Sequence, residues 1–428
     1  MPGKRKIPSK RTKKFPKKKQ GKISRIITLL PKRLNDFEEE LRKIEVDPAG
    51  VSRMKEKGVM ALLKISSVRN PSANIIKQAM LSLGGDAAIS KWALMRPGEH
   101  SDIVLIGTLA QIKKLPEKLQ KQDYFGLPRI AGLIRERISE KCPEAREFRF
   151  GRKKITFEKG PAVMGVLNVT PDSFYDGGRY FSVEAAVAHA LKLAAEGADI
   201  LDIGGESTRP GSKAVSPNEE ISRIIPVIKK VRQRVAIPIS VDTRRYKVAA
   251  AALKAGASII NDVSAMTFDK RMASLAAQSG AGCIIMHMKG RPETMQVNPS
   301  YSDTVGEIAE FLHLRASALA QAGVKKSCIS VDPGIGFGKT VKDNYAILNH
   351  IDEIAALGYP VTLGLSRKSF IGRVTGESAG FRLPGSIAAE AVAVFLGANI
   401  IRAHDVAETR QAVKIAWLIR NYNGVKER

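Results

Sequence analysis

Cysteine is scarce in this chain, and its scarcity excludes several chemistries at once. Cys142, Cys283 and Cys328 stand far apart, and none belongs to a CxxC pair. That spacing argues against a disulfide framework, a zinc site or an iron–sulfur cluster, and it suits a reducing cytoplasmic setting. Only two tryptophans are present, and nothing points to haem. No apolar run approaches the roughly 20 residues that a membrane span needs, so no membrane association is expected. Acidic residues are missing from the first twenty-five positions, which run from Lys4, Arg5 and Lys6 to Lys22 and Arg25. Pro2, Pro8 and Pro16 oppose a helix there, and a secretory apolar core is lacking. Residues 1–28 are therefore expected to be a disordered basic tail. Such a tail can make weak, non-specific contact with polyanions such as RNA or anionic lipid. A solvated appendage is the plainer account, because the net charge of +28 extends beyond the tail. The tail also has none of the aromatic interleaving of an RNA-recognition motif.

What is present is two patterns in succession. Residues 29–153 read as a small α/β domain of unknown role. VMALLKISSV (59–68) is apolar enough for a strand, and DIVLIG (102–107) reads as a second, buried one. ANIIKQAMLSLGG (73–85) has helical spacing with a glycine stop, and a second helix from Thr108 is expected to break near Pro116. His100 is isolated, and no catalytic constellation emerges in this region. From 154 to 428, short apolar strands alternate with helices. The expected strands are 163–169, 200–206, 239–243, 259–264, 283–288, 329–333, 361–366 and 400–406. Eight βα units predict a (β/α)8 TIM barrel, with a doubly wound sheet as the structural alternative.

Polar residues stand at or just past these strand ends: Asn168, Asp202 with Glu206, Asp242, Asn261 with Asp262, His287, Asp332, Lys368 and His404. In a barrel the ends converge on one face, where such residues read as an active site. Asp202 and Asp262 are equally able to cap loops. DPGIGFGKT (332–340) fails as a P-loop, because Pro333 occupies the place of its first glycine. Gly334, Gly336 and Gly338 instead suit a tight loop that lets backbone approach a flat ligand. The carboxylate of Asp332 can accept two parallel N–H bonds. GGESTRPGS (204–212) carries Ser207, Thr208 and Arg209 on a loop that suits anion handling or site closure, or is an ordinary turn. GLSRKSFIG (364–372) places Arg367 and Lys368 after a buried strand, with Ser369 able to cap the next segment. Arg402 and His404 alternate along one strand, share a side, and suit a phosphate group.

LNVTPDSF, DIGGESTRPG, SVDTRR, IINDVS, MHMKG, DPGIGFGK, LGLSRKSFIG and RAHDV follow one another across roughly residues 160–422. In their order and spacing the chain resembles the dihydropteroate synthase family. The resemblance implies a homodimer built through the last helices. It implies condensation of (7,8-dihydropterin-6-yl)methyl diphosphate with 4-aminobenzoate, giving 7,8-dihydropteroate and diphosphate in folate biosynthesis, with sulfonamides competing as 4-aminobenzoate mimics. Matched by motif, Asp242, Asn261, Asp332, Lys368 and Arg402 form the pterin pocket. Thr208, Arg209, Pro210, Phe337 and Ser369 form the aminobenzoate site. Asn168 is the Mg²⁺-linked residue, and His404 joins it at the diphosphate. Phe174 and Asp176 belong to the first mobile loop. The catalytic set is then Asn168, Phe174, Asp176, Thr208, Arg209, Lys368, Arg402 and His404. Some long members of the family carry a similar N-terminal extension.

Two related enzymes share the pterin-binding barrel. A corrinoid methyltransferase needs no diphosphate site, and NVTPDSF, STRPG, SRKS and RAH together argue against it. A methanopterin-type synthase using a ribosylated arylamine stays open, because the far end of that substrate lies outside these motifs. Polyanion binding by the tail is compatible with any of these as an added function.

Overall fold

The computed structural model describes residues 34–139, 145–170, 175–176, 180–206, 215–290 and 294–422. The tail expected over 1–28 and Cys142 lie outside the described residues, as do Phe174, Thr208, Arg209 and Pro210. The chain divides into two units on either side of Ser139.

In the first unit, α1 (Leu34–Lys43) and α2 (Pro48–Met54) lead into β1 (Met60–Arg69) and α3 (Asn70–Leu81). Then come β2 (Asp86–Ala88), β3 (His100–Thr108), α4 (Leu109–Leu119) and α5 (Leu127–Ser139). The strands form an antiparallel sheet in the order β1-β3-β2. Its core joins Ile76 and Met80 of α3, Ile103 and Leu105 of β3, and Ile112, Leu115 and Leu119 of α4. α4 does not break at Pro116, contrary to the sequence expectation. An interior proline costs about 3 kcal/mol. Each buried aliphatic side chain on the Ile112–Leu115–Leu119 stripe contributes roughly 1.5–3 kcal/mol, so the stripe wins. A capping box between Thr108 and Gln111 secures the first turn.

The second unit opens on an antiparallel hairpin, β4 (Glu147–Phe150) and β5 (Lys153–Thr156). The domain boundary expected at 153/154 is therefore too late, since it cuts this hairpin. Then follow β6 (Ala162–Asn168), β7 (Tyr175–Asp176), β8 (Tyr180–Phe181), α6 (Val183–Ala195), β9 (Ile200–Gly204), α7 (Pro217–Arg232) and β10 (Ile239–Asp242). Next are α8 (Tyr246–Ala255), β11 (Ile259–Asp262), α9 (Met272–Ser279), β12 (Gly282–Met286), α10 (Thr304–Gln321) and β13 (Ile329–Asp332). The unit ends with α11 (Val341–Asn349), α12 (Ile351–Ala355), β14 (Thr362–Gly364), α13 (Ser369–Thr375), α14 (Leu383–Leu396), β15 (Ile400–Ala403) and α15 (Val406–Arg420).

Eight parallel strands form one sheet in the order β13-β12-β11-β10-β9-β6-β15-β14. A bridge between Val331 and Val361 joins its two ends. A doubly wound sheet would keep two open edges, so this is the TIM barrel. Each expected strand is present, and each stops one to three residues short of its expected C-terminal end, because the polar residues there turn into loops. The N-terminal end is plugged by Phe148 and Phe150 of the first hairpin, packed on Met164, Ile200, Ile259, Ile284 and Ile400. The closed bottom leaves the C-terminal rim for chemistry. Among the described residues, no helix is long and apolar enough to cross a membrane.

Candidate active site at the C-terminal rim of the barrel

Parallel register builds the site. Asn168 pairs with Gly204, Gly204 with Asp242, and Asp242 with Asn261, so one row crosses four neighbouring strands at their C-terminal ends. Arg402 enters this row from β15. Its Nε donates to Asp202 Oδ2 at 2.6 Å, and one terminal nitrogen donates to Asp242 Oδ2 at 2.9 Å. Asn261 Nδ2 donates to the same Asp202 oxygen at 3.1 Å. Asp202 is therefore part of the pocket, while its Oδ1 is buried with no hydrogen-bond partner among the described residues. Burial pushes the Asp242 carboxyl well above its ordinary range, Arg402 opposes the shift and Asp202 adds to it. Arg402 rests between these two carboxylates.

Across the rim, Asp332 ends β13 in register with Met286. Its Oδ1 accepts the Gly334 N–H at 2.7 Å, and burial raises its pKa against the pull of Lys368. Lys368 donates to the Ile335 carbonyl and lies 4.9 Å from the Phe337 ring centroid. Burial lowers the Lys368 pKa to about 8, with Asp332 opposing. Asp332, Phe337 and Lys368 thus form one corner, an anion and a cation beside an aromatic wall.

Several expectations change. Asp262 is a cap: it takes the Ser264 N–H and hydroxyl at 2.7 and 2.6 Å, and the Met266 N–H at 3.1 Å. Arg367 turns away into a fork on Asp405, at 2.8 and 2.6 Å. Ser369 is the first residue of α13, and the cap position falls to Lys368 without a side-chain bond. Gly334 and Gly338 have φ of +70° and +63°, but their missing Cβ atoms make room for backbone rather than ligand. A side chain there would strike the carbonyl oxygens of His287 and Lys289. His404 is exposed just past β15, with Nδ1 3.2 Å from the Ser366 hydroxyl. Asp176 lies in β7, paired with Tyr180.

Thr208, Arg209 and Pro210 belong to the segment between Glu206 and Val215, outside the described residues. The two flanks are tied together, since Val215 N donates to Glu206 Oε1 at 3.3 Å. Glu206 is gripped by Arg245 at 2.6 and 2.9 Å, and Arg245 also reaches the buried Glu220 at 2.7 Å. Sequence reasoning missed Arg245. Its only signal was the second arginine of SVDTRR. Asn168 offers a carboxamide oxygen at a partly exposed strand end. No group of three or more His, Cys, Asp or Glu among the described residues could hold a metal.

A match to the Pterin binding enzyme family covers residues 164–404, more than half of the chain. A probable bifunctional folylpolyglutamate synthase/dihydropteroate synthase of Halobacterium salinarum is 40% identical over 390 residues, 90% of this chain. That alignment is longer than the barrel unit, so it takes in part of the first unit, yet this chain covers only 46% of that relative. A dihydropteroate synthase of Neisseria meningitidis is 48% identical over 271 residues, covering 62% of this chain and 95% of the other. A Xanthomonas albilineans dihydropteroate synthase, solved with 4-aminobenzoic acid, superposes with a TM-score of 0.61 at 44% identity, covering 66% of this chain and 100% of that one. With the closed barrel and its polar rim already in place, these likenesses show that the chain belongs to the dihydropteroate synthase family of pterin binding enzymes.

Proposed function

We propose that the chain is a transferase that joins (7,8-dihydropterin-6-yl)methyl diphosphate to 4-aminobenzoate, giving 7,8-dihydropteroate and diphosphate in folate biosynthesis. The observation that carries the reading is the rim itself. Asp242, Asn261 and Asp332 bring hydrogen-bonding groups to the C-terminal strand ends, and Lys368 and Phe337 lie beside Asp332.

In this reading the Asp332 carboxylate accepts the amino and ring N–H edge of the pterin, and Asn261 and Asp242 meet the ring from neighbouring strands. Arg402 holds the ring side of the pocket. The bond from the exocyclic methylene to oxygen breaks with its electron pair on the diphosphate. The electron-rich pterin delocalises the cation left behind. The lone pair of the arylamine then forms the new C–N bond, and the amine gives up a proton to the departed diphosphate or to water. Arg402 and His404 face the departing charge. Phe337 and Ser369 hold the aminobenzoate, with Thr208, Arg209 and Pro210, while Lys368 stays beside Asp332 in the pterin pocket. Phe174, Asp176 and the 207–214 segment exclude water that would trap the cation.

Asn168 fits a magnesium ion carried mainly by the diphosphate, because one hard carboxamide oxygen leaves most of the coordination shell to phosphate and water. When bound, Mg²⁺ supplies charge stabilisation to the leaving diphosphate. A cytoplasmic homodimer suits the exposed Val392 and Phe395 of α14 and Ile415 and Ile419 of α15. Diphosphate release tests the proposal. It is expected to need both substrates and to stop on chelation, with Mg²⁺ restoring it. Full turnover without any divalent ion would remove the metal role.

A further inference from the structure

Two buried side chains at the rim have no part in the reaction above. His287 lies one residue past β12, and Lys339 ends the loop that follows β13; they are 7% and 3% exposed. Lys339 Nζ lies 3.0 Å from His287 Nδ1, and it donates to the carbonyls of Phe337 at 3.0 Å and His287 at 3.3 Å. Burial lowers the Lys339 pKa to about 7. Burial first, and then Lys339, lowers that of His287 to about 3, so the ring is neutral and its Nδ1 can accept. The ring is wedged edge-to-face on Phe311 of α10, with centroids 4.9 Å apart. The His287 N–H donates to the Asp332 carbonyl at 2.9 Å, which fixes the residue to the sheet.

The two halves of the loop are held differently. Asp332 is part of β13 and keeps its place through the strand ladder. Phe337 stands five residues further on, in a stretch with no ladder. Its own N–H donates to the Gly334 carbonyl at 3.1 Å and Lys339 donates to its carbonyl, while Asn344 takes the Gly336 N–H and Tyr301 donates to the Gly338 carbonyl, each at 2.7 Å. Removing Lys339 therefore withdraws the side-chain donor from the Phe337 carbonyl, while Asp332 keeps its place in the ladder.

We propose that Lys339 and His287 are positioning residues that set the aromatic wall of the arylamine site through the Phe337 carbonyl, without touching either substrate. The inference rests on the dihydropteroate reading. A small displacement of a positioned group can cost orders of magnitude in rate, so Lys339→Met is expected to raise the KM for 4-aminobenzoate about tenfold or more. Calorimetric affinity for the pterin diphosphate is expected to stay within about twofold. His287→Leu should behave like Lys339→Met. His287→Asn keeps an acceptor oxygen near the Nδ1 position and should restore most of the arylamine KM.

A parallel rise of both KM values with a matching fall in Tm would overturn the inference, because a merely structural pair moves everything together. Failure of all three variants to fold would overturn it in the same way. An inactive wild-type chain would count against the dihydropteroate reading instead. A crystal structure of the Lys339→Met chain decides the positioning role without turnover. The Phe337 carbonyl is expected to shift with Asp332 unmoved, and an unmoved Phe337 would end the proposal.

Discussion

Replacing Arg402 by methionine isolates the electrostatics of the pocket. The guanidinium, 23% exposed, bridges Asp202 and Asp242, whose side chains are 0% and 11% exposed. Breaking a buried pair by removing one partner costs about 3–5 kcal/mol, because the remaining charge is left unpaired. The lower end applies here. Asn261 still donates to Asp202, and one carboxyl can take a proton. A loss of about 3 kcal/mol at pH 8 corresponds to a fall in Tm of roughly 5 °C for a unit spanning Glu140–Arg428. The loss should depend on pH with a definite sign. In the variant one carboxyl has its folded-state pKa raised above the unfolded value, so the folded state holds a proton that the unfolded state releases. Stability then falls as pH rises through that interval, and the deficit shrinks towards pH 5. Adding Asp202→Asn should recover about 1–2 kcal/mol, since the stranded charge is removed. Urea and thermal unfolding at pH 5 and pH 8 measure all three chains. A deficit below about 1 kcal/mol, or one equal at both pH values, would refute a desolvated Arg402 pair.

Three other outcomes are expected. Asp332→Asn should weaken pterin diphosphate binding by about 2–5 kcal/mol in calorimetry while the fold survives; unchanged affinity would remove Asp332 from the pocket. Lys368 has a lowered pKa of about 8, so its charge is lost as pH rises through that value, and kcat/KM should fall above about pH 8 with Lys368→Arg moving the fall upward. Glu390 is buried between α14 and α15, bonded to Thr409 at 2.9 Å, with a pKa raised to about 7 by burial; stability should drop as pH rises from about 4.5 to 7 by at most about 3 kcal/mol, and Glu390→Gln should abolish that slope.

Much of this architecture was legible in the sequence for a local reason. A barrel strand buried on both faces is a short apolar run, and the first polar residue after it marks the rim. That signal located Asn168, Asp242, Asn261 and Asp332 together. The partners of Arg402 were not legible, because they lie 200 and 160 residues away and meet only when the barrel closes. Arg367 and Lys368 look equivalent as a dipeptide. The positive φ of Arg367 turns it towards Asp405, and only its neighbour reaches the pocket. The plugging hairpin was missed because EFRF and KKIT are short, charged strands whose buried face is two phenylalanines. Lys339 closes DPGIGFGK, but nothing in that motif reveals its contact with His287, which comes from the loop after the preceding strand.

The chain should be incubated with dihydropterin methyl diphosphate and Mg²⁺, with 4-aminobenzoate and a ribosylated aminobenzene in competition, and the products identified by mass. Formation of 7,8-dihydropteroate, with one diphosphate per product, is the expected result. No condensation product, or one formed only with the ribosylated amine, would contradict it.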